Sequence, residues 1–276
     1  MTDSNLTTDL QKNRMKRIKV LLIMLCLACS ASTYAQSRII DIAPPAGYER
    51  QDADAYGTFL RNLPLKPAGT PVRLYDGTVK SYQDGAHSVI DMEIGTRDLQ
   101  QCADAVMRLR AEFLWHKKQY DKIHFNFTSG FRADYVKWAE GYRISVKGNS
   151  VSWYEGAEED YSYATFRKYM NIVFMYAGTA SLSNELAEAS VSDLKIGDVF
   201  IIGGHPGHAM VIVDMACDKH GNKAILVAQS YMPAQDIHIV TNLGIAELSP
   251  WYIINSNTTA IRFPEYSFSI NDLKRF

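Results

Sequence analysis

Cys102 and His208 are the two side chains of this 276-residue sequence whose types and settings suit attack on an amide carbonyl. A cysteine becomes a strong nucleophile once its proton has gone, and a histidine is the side chain best matched to take that proton near neutral pH. Cys102 lies in the first turn or so of the clearest helical pattern in the chain. There the unpaired N–H groups and the helix dipole favour a thiolate. His208 follows Gly203-Gly204-His205-Pro206-Gly207 and starts an apolar run. That spacing predicts a strand with a rigidly held imidazole at its mouth. The bland alternative is a buried small hydrophobe and an ordinary hairpin.

A general base needs a third group to fix its tautomer. With a period of two, His208, Met210, Ile212 and Asp214 share one strand face. Asp214 lies six residues on, about 20 Å at ~3.3 Å per residue, and cannot orient the ring. Cys217 is nine residues on, about 30 Å away and on the opposite face. A Cys102–Cys217 disulfide and a Cys102–His208 pair therefore exclude one another. On the returning strand, pairing of Cys217 with Ala224 sets Gln229 opposite Ile212, too far from His208 unless a bulge intervenes. Gln235, after Pro233, is the other amide within reach.

Around this pair, Gln101, His205, Trp153 and Gln235 are the candidate substrate contacts. Trp138, Trp153 and Tyr154 are expected to be exposed and able to line a peptide or sugar groove. His87, His116, His124, His220 and His238 show no ligand spacing, and no HExxH, CxxC, EF-hand or phosphate-loop pattern occurs after residue 35. No metal and no cofactor is expected. Ser181 and Ser183 lack the GxSxG setting of an esterase elbow.

Several elements must position these residues. Leu99, Cys102, Val106, Leu109 and Phe113 recur at helical steps, giving a helix capped by Thr96 or Asp98 and running to about Lys118. Gln101, Asp104, Arg108 and Glu112 form a polar ladder on a second face, suited to i, i+4 pairing. Further helices are predicted at Tyr56 to Asn62, Asp134 to Glu140 and Tyr163 to Tyr176. Strands are predicted at Ser88 to Ile94, Ile123 to Phe127, Ala224 to Tyr231, Ile237 to Thr241 and Ala260 to Phe268. Hairpins turn at Asp76-Gly77 and Gly148-Asn149. The economical reading is a single α+β domain over residues 36–276 with a late antiparallel sheet.

Residues 1–35 read as a signal peptide. Lys12, Arg14, Lys16, Arg17 and Lys19 precede an apolar run from Val20 to Ala28, and Thr33-Tyr34-Ala35 ends in small residues suited to cleavage. Met15 also suits an initiator. The run is shorter than the ~20 residues of a membrane span, and a lipid anchor at Cys29 is the less favoured alternative. Export to the periplasm or cell envelope is the expectation. Losing this segment removes five basic and two acidic side chains and leaves 24 against 28, a net charge of −4. So mild an acidity gives no electrostatic footprint for nucleic acid.

Asp98-Leu99-Gln100-Gln101-Cys102-Ala103-Asp104-Ala105, Phe174-Met175-Tyr176-Ala177-Gly178-Thr179, Pro206-Gly207-His208-Ala209 and Gln229-Ser230-Tyr231-Met232-Pro233-Ala234-Gln235 together resemble a family of exported bacterial proteins described only as a domain of unknown function. The likeness covers most of residues 40–276. More distantly the chain is similar to papain-like cysteine peptidases, above all the NlpC-type cell-wall endopeptidases and amidases. That similarity implies Cys102 as nucleophile, His208 as general base and Gln229 as third residue. The Cys102 backbone N–H, aided by Gln101, would form the oxyanion site. It also implies a peptide or peptidoglycan-like substrate and a helix packed on the late sheet. The 105 residues between Cys102 and His208 exceed a compact NlpC domain, and an inserted subdomain at about residues 121–190 would account for them. The alternative is a non-catalytic envelope binder of peptide or glycan on the same scaffold.

Overall fold

The strand that begins at His208 is the longest among the described residues, and the main sheet is built around it. The computed structural model describes residues 37–276. The segment read as a signal peptide, its expected cleavage point and Cys29 lie outside the described residues. In chain order the elements are β1 (Glu49–Arg50), α1 (Ala55–Arg61), β2 (Ala86–Val89), α2 (Cys102–His116), β3 (His124–Asn126), β4 (Arg132–Asp134), α3 (Tyr135–Ala139), β5 (Tyr142–Lys147) and β6 (Ser150–Glu155). There follow α4 (Tyr163–Tyr176), α5 (Thr179–Glu185), β7 (Ala187–Glu188), β8 (Val199–Ile202), β9 (His208–Cys217), β10 (Lys223–Gln229) and β11 (His238–Val240). The last are β12 (Tyr252–Ile254), β13 (Ala260–Arg262), β14 (Ser267–Ser269) and β15 (Leu273–Arg275). The main sheet runs β2-β11-β10-β9-β8-β15-β7, with β1 also on β9 and β12 also on β10, and its pairings are antiparallel. The class is α+β, as expected.

β9 and β10 are buried along almost their whole length, because both faces of the sheet are covered there. On one face lie α1 and α2, joined by the Tyr56–Phe113 and Phe59–Phe113 ring contacts. On the other, Phe263 and Phe268 of the β13–β14 hairpin pack on Phe200 of β8.

The register of β9 and β10 differs from the one the sequence suggests. Cys217 pairs with Lys223, and a bulge then leaves Val213 without an opposite number: Leu226 faces Asp214 while Val227 faces Ile212. An extra residue shifts the side-chain alternation by one. Asp214 thus leaves the face of His208 and Met210 and turns to α1. There it accepts from Arg61 Nε at 2.6 Å and Arg50 Nε at 2.7 Å.

Three local expectations are corrected. The Cys102 helix begins at Cys102 itself, with Gln101 as N-cap. Asp98 does not cap it, because its Oδ1 accepts from the Ala234 N–H and from Gln101 Nε2. The i, i+4 pairing of Arg108 with Glu112 forms as read, and it is buried because α4 packs against that side, with Tyr163 Oη 2.7 Å from Glu112. Residues 260–268 are two short strands of a hairpin rather than one strand. Trp138 is buried, its Nε1 donating to the Thr165 carbonyl. Residues 121–190 carry small elements of their own, yet residues 37–276 form one unit around one core, and β7 enters the main sheet beside β15.

Candidate functional site

Cys102 occupies the first position of a 15-residue helix and is half-buried. The backbone N–H of Ala209, the residue next to His208, lies beside the Cys102 thiol. Burial raises the thiol pKa, the Ala209 N–H opposes that rise, and nearby Asp104 adds to it. Cys102 and Cys217 are both free thiols. Cys102 lies on a cleft of about 320 Å³, with the start of α2, Gly178 and the first residues of α5, and the Gly204–Gly207 loop among its walls. Gly207 suits this packing because a Cβ there would meet Gly204 O at 2.4 Å and Thr179 Oγ1 at 2.6 Å.

His208 is 2% exposed. Its Nε2 lies 2.8 Å from Gln229 Oε1, and the bulge explains the reach. Continuing the register past Val213 sets Gln229 across from Met210, hence diagonal to His208 on the same face. Such diagonal neighbours stand about 7–8 Å apart, within reach of two long side chains. The rings of Tyr231 and Tyr266 enclose the imidazole at 4.8 and 5.0 Å between centroids. Burial lowers the His208 pKa to about 4; the Gln229 bond opposes that and the Lys80 charge reinforces it. The Cys102 thiol and the His208 imidazole are therefore each neutral at rest near pH 7.

Behind Gln229 is a polar group that the sequence reading missed. Gln229 Nε2 lies 2.8 Å from Glu265 Oε2 and 3.3 Å from His238 Nε2. Lys80 Nζ reaches the same Glu265 oxygen at 2.6 Å. Glu265 and Tyr266 were hidden because residues 260–268 read as one strand, whereas they sit at the tip of a hairpin. His238 carries no local mark in the sequence beyond its lack of metal-ligand spacing. Its cross-strand pairing with Gln229 is what brings it in.

Of the four candidate substrate contacts, Gln101 and His205 line the Cys102 cleft. Gln101 Nε2 is engaged with Asp98 at 3.1 Å. Trp153 and Gln235 are not on this lining. Trp153 sits on β6 against Phe131 and Lys137, and Gln235 is buried, its carbonyl accepting from Ser230 Oγ. His208 is also absent from the lining, being shut in behind its aromatic neighbours. Asp104, one turn into α2, does line the cleft. Its Oδ2 accepts from the Gln101 N–H at 3.0 Å, and burial raises its pKa well above the carboxylate range. Among the described residues no group of three or more His, Cys, Asp or Glu side chains is arranged to hold a metal, and no helix is long and apolar enough to cross a membrane.

Residues 39–275 match the model of a family described as Domain of unknown function (4846). No curated protein and no solved structure matches the chain.

Proposed function

The chain belongs to that family of unknown function, and we propose that it is a thiol hydrolase cleaving an amide bond, on a scaffold of the papain-like, NlpC type. The observation that carries this reading is the Cys102 thiol at the N-terminus of α2, beside the backbone N–H of Ala209, whose neighbour in the chain is a histidine with its Nε2 on an amide oxygen. Cys102 Sγ attacks the carbonyl carbon and its proton passes to His208 Nδ1, the ring nitrogen not committed to Gln229. The C=O electrons move onto oxygen, stabilised by the Cys102 backbone N–H. Collapse breaks the C–N bond as His208 returns the proton to the leaving nitrogen, and water then hydrolyses the thioester.

The substrate under this proposal is a cell-envelope peptide such as a peptidoglycan stem peptide, met in the periplasm or at the envelope. The basic, apolar and small-residue order of residues 12–35 supports that location. The test is cleavage of stem peptides with site-resolved labelling of Cys102 by iodoacetamide. Turnover that is lost in Cys102→Ala and His208→Ala is expected, while turnover surviving Cys102→Ala refutes the proposal.

A second reading, a non-catalytic binder of envelope peptide or glycan, draws on a different observation. His208 is 2% exposed and both ionisable partners are pushed towards neutrality. Ligand retention by Cys102→Ala with no turnover by the wild type favours this reading.

A further inference from the structure

We infer that Glu265, held in place by Lys80, is a positioning residue that fixes the Gln229 amide and through it the tautomer of His208; the catalytic meaning of that tautomer rests on the Cys–His reading. A carboxylate can only accept hydrogen bonds, so the end of Gln229 that faces Glu265 Oε2 at 2.8 Å must be its NH2 group. His238 gives the same answer independently. Its Nδ1 lies 3.0 Å from the Asp236 carbonyl, another pure acceptor, so Nδ1 carries that ring's proton. His238 Nε2 then offers a lone pair, which matches the second N–H of Gln229 at 3.3 Å. Both partners orient the amide the same way.

With its nitrogen spent on Glu265 and His238, Gln229 can offer His208 only its oxygen. The His208 proton is therefore on Nε2, and Nδ1 keeps the lone pair that a base requires. A reversed amide would set its oxygen against a carboxylate and its NH2 against His208 Nε2, moving the ring proton to Nδ1 and disabling the base. Glu265 is what makes that reversal costly. Lys80 Nζ at 2.6 Å anchors the carboxylate, and the two side chains are 9% and 13% exposed, so little water screens the contact.

The experiment is long-range proton–nitrogen NMR of the 15N-histidine-labelled protein at pH 7, with site-resolved iodoacetamide labelling of Cys102, for the wild type, Glu265→Ala and Glu265→Gln. The wild type is expected to show a pyrrole-type Nε2 and a pyridine-type Nδ1 at His208. Glu265→Ala is expected to mix the two tautomers and to slow Cys102 labelling, because only the Nε2–H form leaves Nδ1 free to take the thiol proton. Glu265→Gln, whose side-chain oxygen can still accept from Gln229, is expected to restore the wild-type spectrum. A wild type with its proton on Nδ1, or a Glu265→Ala protein that keeps one Nε2–H tautomer, overturns the inference. If Glu265→Ala fails to fold, the wild-type spectrum alone decides. An Nε2–H tautomer beside a Cys102 without turnover leaves the positioning role standing and removes only the hydrolase reading.

Discussion

His208 Nε2 stands 2.8 Å from Gln229 Oε1, a contact made possible by the unpaired Val213 five residues along the strand. Without that bulge Gln229 faces further down β9 and the imidazole has no amide partner. A backbone irregularity thus sets a side-chain pair, and each consequence below can be measured.

Cys102 alkylation should rise steadily with pH. Burial holds the thiol above its ordinary pKa, so the reactive thiolate is scarce at neutral pH and grows towards alkaline pH. Iodoacetamide rates read by mass spectrometry at Cys102 from pH 5 to 10 test this. A rate flat between pH 5 and 8 would mean a resting thiolate–imidazolium pair and contradict the prediction.

The two buried histidines should make the protein acid-sensitive. Burial lowers His208 and His238 to about 4, whereas both titrate near 6.5 when unfolded. Between those values the unfolded chain binds the extra protons, so stability falls as pH drops from about 6.5 to about 4. Each histidine contributes up to ~1.4 kcal/mol per pH unit. Urea midpoints of the wild type and His238→Gln over that range should converge towards acid. Parallel curves would refute it.

Asp104 should act with the opposite sign. Burial raises its folded pKa well above the carboxylate range, and Oδ1 has no partner among the described residues. Its contribution is favourable below the unfolded value near 3.9 and is lost as pH rises. The stability of Asp104→Asn relative to the wild type should therefore increase from pH 4 to pH 8, with circular dichroism following denaturation. A pH-independent difference would show that burial does not control this carboxyl.

Asp214→Ala should destabilise by about 3–5 kcal/mol, since it leaves two guanidinium groups facing an empty site. Asp214 is fully buried, and Arg61 and Arg50 are 10% and 21% exposed. Folded Asp214→Ala protein should still be labelled at Cys102 at the wild-type rate, because Asp214 lies six residues along β9 from His208, about 20 Å at ~3.3 Å per residue. Loss of labelling without loss of fold would place Asp214 in the site after all.

Much of this was legible in the sequence. Tyr163 to Tyr176 emerges as α4 with both ends as read, because an aromatic stripe at helical spacing and Gly178 both point the same way. His208 starts its strand as expected. What escaped depends on two elements at once. The sequence cannot show that Val213 is skipped, since that follows from how β10 pairs with β9. Glu265 lies 36 residues from Gln229, with nothing local to mark it. The buried Arg108–Glu112 pair looks like a solvated one until α4 covers it.

β15 takes its place between β8 and β7, in the interior of the sheet, with Arg275 clamped to Asp198 at 2.6 Å. The order of arrival is therefore the reverse of the order of need. While residues 273–275 are still to come, β8 presents an open edge of unpaired N–H and C=O groups beside the strand that carries His208. Glu265 is delivered only shortly before. A chain made from its N-terminus keeps that sticky border bare until residues 273–275 have emerged. During that interval it would depend on an escort, or on speed, to avoid joining a neighbour's strand.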